Sequence, residues 1–148
     1  MRVLAGVGTG FLLAVLWFDL MFDVQARGRG SEVGAAALES IAAYYGRVTT
    51  SARPMNRLVP LGMLAALVGI AGGWARYELP AWREATSLTL TATAIGLALA
   101  RTVGNAVRLG ERRDPPAAAS AIARSVLRDH RICFAAVATS ALAQLLPG

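Results

Sequence analysis

Leu58-Val-Pro-Leu-Gly-Met-Leu-Ala-Ala-Leu-Val-Gly-Ile-Ala-Gly-Gly-Trp-Ala75 runs eighteen positions without a charged side chain. Wound at 3.6 residues per turn it is apolar all the way round, so it has no face to turn towards water. A helix rises about 1.5 Å per residue, and about 20 residues, with about 17 tolerated, cross a hydrocarbon layer about 30 Å thick. The stretch therefore reads as a membrane span and not as a surface helix of a soluble bundle, which would show a polar stripe.

Three more runs flank it. Val3 to Phe22 carries one charge, Asp19; Ala85 to Val107 carries one, Arg101; Ile132 to Gly148 carries none. Together with 55% hydrophobic residues and a mean hydropathy of +0.50, four such runs in 148 residues exceed what a soluble core of this size requires. The predicted fold is all-α, a polytopic membrane protein with four transmembrane helices in an antiparallel bundle. It forms a single domain, 1–148, with spans at 3–23, 56–75, 84–107 and 130–147. The last span is the shortest and relies on Arg131 snorkelling from its end. The first run, with Val24-Gln25-Ala26 behind it, superficially suits a signal peptide; its length and the carboxylates Asp19 and Asp23 near its end favour a retained span.

All fifteen basic residues are arginines, and the net charge is +6. In a soluble protein that balance would suggest nucleic acid. Here the arginines lie between the spans, so no nucleic-acid partner is expected, and the lipid bilayer is the partner the composition calls for. The first loop, 23–57, holds Arg27, Arg29, Arg47, Arg53 and Arg57. The third, 108–131, holds Arg108, Arg112, Arg113, Arg124, Arg128 and Arg131, while the other side has Arg2, Arg76 and Arg83. Arginine-rich loops stay in the cytoplasm. The expectation is a multi-pass protein of the cell inner membrane with both termini outside and loops one and three inside.

The inner loops carry structure of their own. Ser31 is a candidate N-cap for a helix over 32–52 that stops before Pro54, with Ala36, Leu38, Ile41, Ala42 and Tyr45 on one face. That amphipathic helix either lies in the membrane interface or runs into span two with a bend at Pro54 or Pro60. Pro115-Pro116 starts a helix in the permitted first position. Arg124, Arg128 and Arg131 then share a basic face suited to lipid headgroups. Gly6 with Gly10, and Gly69 with Gly73, are small pairs at helical spacing that favour close helix contact, within the chain or between copies. Cys133 is alone, which rules out an internal disulfide or a thiol metal cluster.

Ionisable groups inside a span are costly and mark function or a pinned helix pair. Asp19 in span one and Arg101 in span three lie at similar depth near the cytoplasmic end, which predicts an Asp19–Arg101 ion pair. Asp23 shares a helix face with Asp19, and Asn105 with Arg101, each four residues on. Asp129, His130 and Arg131 open span four, Asn56 and Arg57 open span two, and Tyr44 and Tyr45 would roof the group. In one reading the pair only fixes helix register. In the other the group is a polar pocket: Asp19 and His130 are the candidate catalytic, proton-handling residues, and Asp23, Arg101, Asn105, Arg131 and Tyr45 the candidate ligand-binding ones. The arginines favour an anionic ligand. One histidine with two carboxylates at no defined spacing is a thin basis for a metal site, so neither metal nor cofactor is expected. There is no glycine-rich phosphate loop, C-x-x-C, G-x-S-x-G or H-E-x-x-H.

From Arg101 the chain reads Arg-Thr-Val-Gly-Asn-Ala-Val-Arg-Leu-Gly-Glu-Arg-Arg-Asp-Pro115, and His130-Arg131 follows. This resembles the end of span three and the start of span four in the anthrone oxygenase-like family of small four-helix membrane proteins. Members of that family carry a G-N-V-P-L-N-E-R-L-like stretch and then an H-x-x-R-like element. Gly104, Asn105, Val107, Leu109, Glu111, Arg112 and His130 are the matching positions. Ala106 stands as an insertion, and Arg108 and Gly110 replace the proline and the second asparagine. The resemblance implies a pocket that binds or oxidises a small hydrophobic or aromatic molecule without an evident cofactor. The alternative is a non-catalytic transport or accessory subunit, joined to copies of itself or to another membrane protein. A cavity of a few hundred Å³ at the polar group would favour the first reading, close packing the second.

Overall fold

The computed structural model describes residues 1–28, 30, 32–51 and 53–145, with the Arg53 side chain left aside. Every regular element among them is helical: α1 (Arg2–Asp23), α2 (Ala35–Thr50), α3 (Arg53–Ala75), α4 (Ala81–Leu97), α5 (Val103–Glu111) and α6 (Pro116–Leu145). A 3-10 turn, Val24–Ala26, prolongs α1, and a π-helical turn, Ala98–Thr102, joins α4 to α5 in one unbroken rod. Three of these helices are long and apolar enough to cross a membrane, over Arg2–Ala26, Pro54–Ala75 and Ala81–Glu111. The fourth predicted span differs. α6 is a single 30-residue helix, but its longest stretch free of charge, Ile132 to Leu145, spans about 21 Å at 1.5 Å per residue. Positions 146 and 147 of the predicted 130–147 span lie outside the described residues.

Four long rods pack in a ring. α1 lies against α3 and α6, and α4 lies against α3 and α6, while the backbones of α1 and α4 stay apart across the ring. At the α1–α3 seam backbones meet directly. Gly8 faces Ala66, Gly69 faces Ala5 and Gly62 faces the Phe11 ring, so an added Cβ at any of the three would collide. The predicted pairs are therefore only half used. Gly6 and Gly10 have nothing within 4 Å, and Gly73 makes room for the Glu84 carboxylate. The α4–α6 seam is polar. Ser87 and Ser140 each donate to the other's carbonyl, at 3.3 and 3.2 Å, and Thr91 and Ser140 share a hydroxyl contact of 2.9 Å. These groups are fully buried and paired, as hydroxyls between apolar helices need to be.

The hydrophobic interior is divided in two. One cluster, built on Leu12, Ala66, Ala94, Cys133 and Val137, lies inside the ring. The other, with Ile41, Tyr45, Leu109, Val126 and Leu127, lies where α2, α5 and the first half of α6 converge at the arginine-rich end. α2 is thus a helix separate from α3 and packed on the bundle. It breaks at Ser51, α3 begins at Arg53, and α2 docks on α5 with Gly46 against Gly110. Its observed range is shorter than the predicted 32–52. Gly34 is the cap residue, and the predicted cap Ser31 lies outside the described residues. Pro116 is the first residue of α6, as predicted, and α3 continues through Pro60.

Candidate functional site

Asp19 and Asp23 lie one turn apart on α1 because four residues nearly complete a helical turn. Both are buried, Asp23 almost entirely. Two adjacent tyrosines of α2 reach down to them: Tyr44 Oη donates to Asp19 Oδ1 at 2.7 Å, and Tyr45 Oη donates to Asp23 Oδ1 at 2.6 Å. Tyr44 is held flat by Phe22, with ring centroids 4.0 Å apart and planes 8° from parallel. From α6, His130 Nδ1 lies 2.6 Å from Asp23 Oδ2, and Nε2 lies 3.7 Å from Asp19 Oδ2. The short Nδ1 contact assigns the ring proton to Nδ1, donated to Asp23. Asp23 then accepts from both the imidazole and Tyr45. His130 Nε2 and Asp19 Oδ2, too far apart for a direct hydrogen bond, are left facing one another.

That gap opens on a cavity of about 470 Å³. Asp19, Tyr44, Tyr45 and His130 form its polar end. Leu12, Leu16, Val59, Met63, Ile95 and Val137 are among the apolar residues that make most of its walls. Burial holds the Tyr44 and Tyr45 phenols well above their usual ionisation range, reinforced by the Asp19 and Asp23 carboxylates beneath them. They act as hydrogen-bond donors, not as phenolates.

The predicted Asp19–Arg101 ion pair does not form. α6 stands between the helices that carry these residues and serves both. Arg101 grips Asp129 instead, Nε to Oδ2 at 2.8 Å and Nη2 to Oδ1 in a second, shorter contact. The guanidinium side chain is 44% exposed and Asp129 wholly buried, so the pair lies on the outer side of the ring, away from the cavity. A π turn also advances the helix by one extra residue per hydrogen-bonded turn, which shifts Arg101 relative to a regular α-helical projection. Asn105 is half-buried and Arg131 exposed, and neither makes a hydrogen bond or ion pair among the described residues. Arg124 donates to the Gly30 carbonyl at 2.6 Å and Arg128 flanks Asp129, so the predicted basic face is partly occupied by the chain itself.

Of the predicted site residues, then, Asp19, Asp23, Tyr45 and His130 come together and Arg101, Asn105 and Arg131 stand apart. Tyr44 belongs to the site as fully as Tyr45, and its adjacency to Tyr45 in α2 was the signal. The cavity walls are ordinary apolar residues and carry no signal in the sequence. No group of three His, Cys, Asp or Glu side chains among the described residues is arranged to hold a metal ion. Comparison with protein families, with curated proteins and with solved structures finds no match to this chain.

Proposed function

We propose that this chain is a four-span membrane protein that binds a small hydrophobic, aromatic molecule through one hydroxyl. Three helices able to cross a membrane support the first part, with α6 as the fourth member of the ring and shortest span. The arginines of loops one and three argue for both termini outside and the α2 end inside the cell. The observation that carries the binding reading is the cavity of about 470 Å³ whose only strongly polar edge is the Asp19–His130 gap. Such a volume suits a small ligand. With the imidazole neutral and its proton on Nδ1, both groups at the gap are hydrogen-bond acceptors, Asp19 as carboxylate and His130 at Nε2, so the matching ligand group is a donor, a phenolic or enolic hydroxyl. His130 can take that proton at Nε2 while Asp23 stabilises the imidazolium that results. The resemblance to the anthrone oxygenase-like family would add a reaction, in which dioxygen oxidises a ring methylene of the deprotonated ligand to a carbonyl, one oxygen atom entering the ring product and the other leaving as water. An accessory subunit without a ligand would have this space closed by side chains.

Naphthol, a fluorescent hydroxylated aromatic, tests the reading directly on protein reconstituted in vesicles. It should bind saturably, and its methyl ether, which cannot donate, should bind more weakly. Asp19→Asn and His130→Gln should each weaken naphthol by about tenfold, the loss of one hydrogen bond of about 1.4 kcal/mol. Glu39→Gln, in an exposed ion pair with Arg112, should change nothing. Equal binding of naphthol and its ether by the parent protein would sink the proposal.

A further inference from the structure

The cavity has a side as well as an end. α3 packs against α4 but against neither the π turn nor α5, so the two rods diverge towards the arginine-rich end. Met55 and Val59 on α3, and Ala98 and Val103 on the other rod, line the same cavity across that divergence. Val103 is 48% exposed and its neighbour Leu99 65%, so this edge of the cavity lies at the molecular surface. The slot is apolar and lies within helices apolar enough to cross a membrane. α2 closes the cavity above it with Val48 and Thr49. A ligand lying wholly inside would need no such slot, and a water-soluble one would meet an apolar opening.

We propose that the cavity is filled sideways from the bilayer, by an amphiphile with a hydroxylated aromatic head and a hydrocarbon tail. The head sits between Asp19 and His130, and the tail lies out through the slot between α3 and the π turn. This rests on the reading of the cavity as a hydroxyl-binding site and adds the tail and the route. The polarity supports it: the carboxylate, imidazole and phenols cluster at the closed end, and the slot is edged by the apolar side chains of Met55, Val59, Ala98 and Val103.

Photolabelling of the full chain in phosphatidylcholine vesicles distinguishes the possibilities. Three probes are needed: naphthol with a diazirine-bearing alkyl tail, the same tail without a head, and tail-less naphthol as a competitor. The tailed naphthol should label residues 55–59 and 98–103 severalfold more than the headless tail does, and excess tail-less naphthol should remove the difference. Leu99→Trp, which sets a bulky ring at the exposed lip of the slot and outside the cavity lining, should cut that labelling severalfold and leave tail-less naphthol bound as before. Labelling no different from the headless tail, with naphthol still bound, overturns the lateral route and leaves the hydroxyl site standing. Failure of both naphthols to bind removes the hydroxyl site and the inference with it.

Discussion

Asp129 and His130 are consecutive on α6 and serve different neighbours, one closing on Arg101, the other on Asp23. Successive helical residues point about 100° apart, so one turn of α6 can address both adjacent rods. The sequence made much of this legible: the shared face of Asp19 and Asp23, the histidine at the start of the last apolar run and the tyrosines above them. It did not reveal the partner of Arg101, because matching depth says nothing about which helices are neighbours in a ring. Tyr45 brings a consequence for pH. Its burial and the carboxylates of Asp23 and Asp19 raise its ionisation well above the ordinary 10. In the unfolded chain the phenol ionises at that ordinary value, so above pH about 10 the unfolded state holds fewer protons than the folded one. Stability from this group is complete below that pH and falls as pH rises, by up to about 1.4 kcal/mol per pH unit. Tyr45→Phe should melt lower at neutral pH, having lost the bond to Asp23, yet show a flatter decline between about pH 9 and about pH 11. Parallel declines in thermal melts of parent and variant would assign the alkaline loss to another group.

At the scale of elements, glycine spacing was readable and its phase was not. A repeat of four residues suggested Gly6 with Gly10, but the contact surface of α1 runs through Ala5 and Gly8. The phase depends on which side of α1 its partner occupies, and a helix that is apolar all round gives no mark of that side. Gly8→Ala and Gly69→Ala would set Cβ atoms against the Ala66 and Ala5 backbones, so each should cost about 1–3 kcal/mol through overpacking. Gly10→Ala meets open space and should be neutral or stabilise by up to about 1 kcal/mol through helix propensity. Denaturant unfolding in detergent reads all three. A cost at Gly10 equal to that at Gly8 would mean that a second copy covers the Gly6–Gly10 face. The π turn was likewise invisible, since nothing in Ala-Leu-Ala-Arg-Thr marks an extra residue per turn.

For the whole molecule, the apolar runs indicated helices long enough for a membrane, but not that the interior divides into two cores with the polar cluster between them. That division comes from α2 turning back over the ring, a long-range contact with no local code. Orientation is testable here. With Cys133→Ala as background, a cysteine at Tyr77 should react with an impermeant maleimide from outside whole cells, and one at Arg47 only after lysis. The reverse pattern would invert the proposed topology. The roof formed by α2 also sets an order for biogenesis. Its main partners, α5 and α6, lie far downstream of it, so during synthesis α1 is released with Asp19 and Asp23 long before His130 exists. Until the last helix arrives the tyrosines have only α1 beneath them and the two acids have no imidazole. A nascent chain truncated before α6 therefore presents an unfinished, charge-bearing first helix, the kind of species that membrane quality control removes.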